Sequence, residues 1–243
     1  MKSVCCKTLA LTALVAAPLW AQAELTANIA LTSNYKFRGQ DQDQKRTSAV
    51  KPALQGGFDY SFGDSGFYVG NWNSSVNWLD NNSLETDFYG GYKFKAAGVD
   101  WDVGALSYVY WGNSAGNTTE LYGAASYGPF TAKYSHTVSK DYFGMGKASG
   151  VDGARGRNTG YLQFAYSQEV VKSLTFKASV GYTNLASDIK TEKTPNFMDY
   201  SIGAAYDFGG GLSLTGAVVG ANKKAAYGDI NKARLILTLA KTL

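Results

Sequence analysis

The one histidine of this chain, His136, lies in FTAKYSHTVS, residues 130–139. A histidine in such a stretch acts as a general base only if a hydroxyl nucleophile lies within hydrogen-bond reach. In an alternating segment, residues two apart share a face. His136 then shares its face with Phe130, Ala132, Tyr134 and Val138, while Ser135 points the other way. That placement favours an interfacial histidine over the base of an acyl-chain hydrolase. The carboxylates form same-face pairs, Glu85 with Asp87 and Asp100 with Asp102. Such pairs bind calcium or do acid–base work, but two are too few ligands alone. The stretch GMGKASG, residues 144–150, has the residue types of a phosphate loop without its spacing or its strand-to-helix context. It reads as external loop. Both cysteines, Cys5 and Cys6, lie at the N-terminus. Beyond them the chain has no thiolate for a metal, a disulfide or a nucleophile. No catalytic residue, metal site or cofactor is expected, and the chain is not read as an enzyme.

Lys2 and Lys7, the apolar run TLALTALVAAPLW and the small residues Ala21-Gln22-Ala23 form the three parts of a secretory signal peptide. Residues 1–23 are expected to be that signal, with the functional chain spanning 24–243. Of 23 basic side chains, removal of Lys2 and Lys7 leaves 21 against 19 acidic ones, so the net charge falls from +4 to +2. This is not the balance of a nucleic-acid-binding protein.

Positioning these residues falls to strands. In LTANIALTSNYKFRG, residues 25–39, the apolar residues Leu25, Ala27, Ile29, Leu31, Tyr35 and Phe37 hold one parity. Thr26, Asn28, Thr32, Asn34, Lys36 and Arg38 hold the other. The same period of two recurs to the C-terminus in about twelve segments, long enough for tilted membrane strands. Tight Gly- or Pro-rich turns at Asp64-Ser65, Ala96-Ala97, Gly128-Pro129 and Gly209-Gly210-Gly211 alternate with longer connections. Short and long connections in alternation are the habit of an outer-membrane barrel. The expected fold is therefore all-β, a transmembrane antiparallel up-and-down β-barrel of about twelve strands.

Aromatic placement separates lipid from a soluble core. Phe62, Tyr68, Phe94, Trp101, Tyr127 and Phe130 are among the aromatics that flank the short turns. Tyr35, Phe37, Trp78, Trp111, Tyr134, Tyr182 and Tyr200 lie toward the long loops, with aliphatic residues such as Ile29, Val103, Leu121 and Ile202 between the two groups. Two girdles around an aliphatic band describe an outward face in lipid. The opposite parity then lines a lumen, and strand three would add Asn71, Asn73 and Asn77 to it. With the last strand closed against the first, Lys232 and Arg234 join Lys36, Arg38 and Lys51 as a basic pore-lining wall. Glu85, Asp87 and Glu120 form an acidic wall at similar depth, with Asp102 also lining the pore. Two readings of these charges stay open: a transverse field that filters polar solutes, or cross-lumen pairs that help plug the barrel.

The segments LTSNYKFRG, ALQGGFDYSF, GFYVGNWNSSV and ETDFYGGYKF resemble the TorF family of outer-membrane porins, most specifically in Tyr35-Lys36-Phe37-Arg38-Gly39 and in residues 55–60. The resemblance implies a porin-type barrel in the outer membrane of a Gram-negative bacterium. Outer-membrane lipids, small hydrophilic solutes or ions and the barrel-assembly machinery would be its partners, with no nucleic acid among them. The terminal Leu243 stands where such barrels commonly carry an aromatic. The expected function is passive diffusion. A lipid-active outer-membrane enzyme and a plugged barrel binding a partner through its external loops are the alternatives.

Overall fold

The structure, a computed structural model, describes residues 24–44 and 50–243. The expected signal segment lies outside the described residues. Twelve strands form one closed antiparallel barrel. They are β1 (Glu24–Thr32), β4 (Ala53–Ser61), β5 (Phe67–Ser75), β6 (Leu84–Ala96), β7 (Val99–Tyr110) and β8 (Thr118–Tyr127), followed by β9 (Phe130–Thr137), β10 (Gly160–Val171), β11 (Leu174–Asn184), β12 (Phe197–Gly209), β13 (Leu212–Ala221) and β14 (Arg234–Thr242). Each strand pairs with its neighbour along the chain, and β1 closes on β14 with Leu31 opposite Leu239. Closure leaves no sheet edge, which a spanning sheet requires because lipid offers nothing to bond an open ladder.

The period of two sets the two faces. Leu25, Ile29, Leu31, Leu54, Val103, Leu121, Ile202, Leu235, Leu237 and Leu239 are exposed on the outside. An apolar surface running around the whole barrel is far larger than a water-soluble monomer shows. Aromatics bracket this band: Phe62, Trp101, Tyr127 and Phe130 near the short turns, and Trp111, Tyr134, Tyr182 and Tyr200 near the long loops.

Two features depart from the alternating pattern. The first strand ends at Thr32 rather than running to Gly39. Ser33 still caps the closure, since its backbone N–H donates to the Leu237 carbonyl and its hydroxyl accepts from the Leu237 N–H. The chain then turns into the barrel. Tyr35 and Phe37 therefore face the lumen, not lipid. There Tyr35 packs edge-on against Trp72 at 5.5 Å, and Phe37 meets Tyr108 and Phe143 at 5.4 and 5.3 Å. An aromatic cluster inside the barrel offers these rings the apolar contact that a lipid girdle would.

The second departure is the parity of β5. Tyr68, Trp72 and Ser74 point inward, while Asn71 and Asn73 do not. Trp72 fits because Gly57 stands opposite it on β4. Asn73 is tolerated outside because its amide donates to the Gly56 carbonyl and its oxygen accepts from the Thr86 hydroxyl. Among the described residues no helix is long and apolar enough to cross a membrane; the crossing elements are the strands.

Candidate functional site at the external mouth

The first long loop builds the site. Lys36–Phe37 (β2) and Gln40–Asp41 (β3) form a small antiparallel hairpin inside the mouth of the barrel. Arg38 and Gly39 make its two-residue turn with φ of 47° and 75°. Positive φ at both positions is the turn whose twist suits a hairpin. Gly39 is required twice over: its φ is left-handed, and a Cβ there would lie 2.5 Å from the Gly220 carbonyl oxygen. The hairpin tip thus abuts the β12–β13 wall. Arg38 adopts the left-handed region without being glycine, at a cost of roughly 1–2 kcal/mol, which its other contacts offset.

Those contacts cross the lumen. The Arg38 guanidinium donates to both oxygens of Glu120 on β8, at 2.9 and 2.7 Å. It donates to the Tyr142 hydroxyl at 3.0 Å and lies 4.1 Å from the Tyr161 ring centroid. The planar fork of arginine suits this two-point carboxylate contact. Burial raises the Tyr142 phenol above its ordinary pKa, so it meets Arg38 as a neutral group.

Register places Lys36 directly across the hairpin from Asp41, giving an ion pair of 2.9 Å. Arg234 on β14 donates to the same carboxylate at 2.9 Å, and Lys51 lies 3.6 Å from it. The Lys36 ammonium also donates to the carbonyls of Gly39 and Ile230, and Lys51 to that of Asp43. One buried carboxylate thus gathers three cations. On the other side of the lumen Glu85 accepts from the Tyr35 and Tyr110 hydroxyls at 2.9 and 2.8 Å. Asp87 is fully buried between Trp72 and Tyr108, its partners in register, and neither of its oxygens has a hydrogen bond. The cations Lys36, Arg38, Lys51 and Arg234 stand among the carboxylates Asp41, Glu85, Asp87 and Glu120, with Asp43 and Asp199 also buried at the mouth.

Of the residues expected to line a basic wall, the structure brings together Lys36, Lys51 and Arg234. It sends Arg38 across to the acidic side. Lys232 is not part of the cluster: β14 begins only at Arg234, and Lys232 is exposed in the preceding loop. Asp102 lies deeper, where it accepts from the Tyr68 hydroxyl at 2.6 Å, and Tyr68 in turn contacts Tyr122. Sequence reasoning missed Asp41, Tyr142 and Tyr161. The Arg-Gly pair between Lys-Phe and Gln-Asp was the available signal for a hairpin. His136 faces outward, 3.2 Å from the Tyr134 hydroxyl and 3.3 Å from the Asn158 side-chain oxygen. Among the described residues no serine or threonine hydroxyl bonds to it. No group of acidic, histidine or cysteine residues among the described ones could hold a metal ion.

Residues 17–242 match the family described as bacterial protein of unknown function, Gcw_chp, and the chain belongs to that family. The sequence matches no curated protein. Among solved structures it is similar to the NanC porin at 12% identity and a TM-score of 0.58, covering 90% of this chain and 98% of that one. It is also similar to the KdgM porin, solved in complex with disordered oligogalacturonate, at 9% identity and a TM-score of 0.55, covering 89% and 97%. These likenesses are of fold: a porin-like barrel.

Proposed function

We propose that this Gcw_chp-family chain is a diffusion channel of a Gram-negative outer membrane, passing small hydrophilic solutes or ions, with its external mouth narrowed by the first loop. The observation that carries this reading is a lumen filled at the mouth and looser below it. Inward residues at the mouth are buried on both walls, Glu85, Tyr108 and Glu120 on one and Thr183, Asp199 and Ala221 on the other. Below them Tyr89 and Leu106 on one wall and Ser179, Ser201, Thr215 and Thr238 on the other keep partial exposure. Twelve strands lie between barrels filled by side chains and barrels that leave an aqueous channel. A polar, incompletely filled stretch below the mouth is what small solutes need. The oligogalacturonate bound by KdgM is a hydrophilic solute of a porin with this fold, and the TorF-like segment that builds the hairpin points the same way.

Purified protein in planar bilayers is expected to give discrete conductance steps. A refolded barrel with neither steps nor solute uptake in liposomes would overturn the channel. The lipid-active alternative is tested separately. Phospholipid turnover by the wild type is expected to match that of His136→Ala, and a hydrolysis lost only in the variant would favour the enzyme.

A further inference from the structure

Below the mouth, one arc of the lumen is built from small, half-buried residues: Ser179 on β11, Ser201 and Gly203 on β12, and Thr215 and Ala217 on β13 face inward there. Above them Gly181 is covered by the side chains of Tyr161 and Asp199. One long side chain rises from this arc. Lys177 on β11 has the parity of Ser179 and Gly181, opposite to the exposed Val180 and Tyr182. Its partners in register are Ser167 on β10 and Gly203 on β12, and Gly203 in turn faces Ala217 on β13. None of these carries a charge to pair with the ammonium, and Glu169, next on the same face of β10, accepts from the Ser173 N–H instead.

The other inward cations are all occupied. Those at the mouth are tied to Asp41 or Glu120. Lys93 and Lys133 lie over the rings of Tyr68 and Tyr122 at 4.5 and 4.2 Å. Among the described residues Lys177 alone of the inward cations has no ion pair, hydrogen bond or ring contact, and it is half-buried rather than exposed. It stands four residues above Ser173 in the turn to β10, about 13 Å along the strand from the short-turn rim. An uncompensated charge in a passage with low-dielectric walls attracts counter-ions strongly.

We propose that the permeation path follows the small-residue arc and that Lys177 is its anion-docking, selectivity-determining residue, taking small inorganic anions or carboxylates. This rests on the channel reading above. It places selectivity below the charged mouth, whose cations are ion-paired.

The test uses the full chain. In potassium chloride gradients, Lys177→Glu should lower the chloride-to-potassium permeability ratio about fivefold, and Lys177→Gln should move it part of the way. Lys95→Glu, at the rim beside Asp100, should leave it near the wild-type value. In a background with Cys5 and Cys6 replaced by serine, Lys177→Cys in proteoliposomes should be modified by a water-soluble anionic thiol reagent, read by intact mass. If the wild type conducts but the Lys177 variants keep its selectivity, or Lys177→Cys resists the reagent, the path lies elsewhere and the channel reading stands. If the wild type does not conduct, both readings fall.

Discussion

Arg38→Ala is expected to raise single-channel conductance several-fold. Arg38 ties the hairpin to the far wall through two short hydrogen bonds to Glu120, beside the ring contact of Phe37 with Tyr108. Removing one partner of a buried ion pair strands the other and costs about 3–5 kcal/mol. The variant can avoid that cost by releasing the hairpin and letting water reach Glu120, which opens the mouth. Arg38→Gly makes the cause separable. It relieves the left-handed strain at φ 47° and keeps the turn, yet it loses the pair, so it should conduct like the alanine variant. The exchange Arg38→Glu with Glu120→Arg restores opposite charges across the same gap and should return the conductance toward the wild-type value. Recordings in which Arg38→Ala and Arg38→Gly both keep the wild-type conductance would show that the hairpin is not held by this pair.

Replacing Asp41 by asparagine should shift the channel strongly toward anions. Asp41 is the common partner of Lys36, Lys51 and Arg234. Its neutral replacement leaves three cations a few ångströms apart and makes the mouth more positive by one charge. The shift should be large at 0.01 M salt and shrink at 1 M, where the screening length falls from about 30 Å to about 3 Å. The barrel itself should persist, because its ladder closes around this cluster without using the Asp41 side chain, so heat-modifiable migration on gels should be retained. A reversal potential equal to the wild-type value at low salt would remove the cluster from the ion pathway.

Much of the barrel is legible in the sequence because alternation and turn spacing are local properties. Leu25, Ile29 and Leu31 announce the outward face of β1 wherever the strand is read. What the pattern cannot distinguish is one apolar environment from another. Tyr35 and Phe37 continue the parity of a lipid face, yet they enter an aromatic cluster inside the lumen, because the chain turns at Ser33. In β5 asparagines flank Trp72, and the Asn73 amide is satisfied sideways by Gly56 and Thr86. Polarity there does not report direction. The basic grouping of Lys36, Lys51 and Arg234 followed from closing the last strand on the first. Asp41 did not, since its role depends on a two-residue register within a loop. The bond from Arg38 to Glu120 depends on the loop crossing the lumen, which no spacing along the chain encodes.

The first loop is held as much by the end of the chain as by its own strand. Lys36 donates to the carbonyl of Ile230, Gln40 donates to the Asn231 side chain, and Arg234 donates to Asp41. These partners lie at or beside the last strand, which is also the strand that closes the barrel. The seat of the hairpin is therefore complete only when the last strand has closed on the first: the contact that seals the barrel also finishes the narrowing of its mouth.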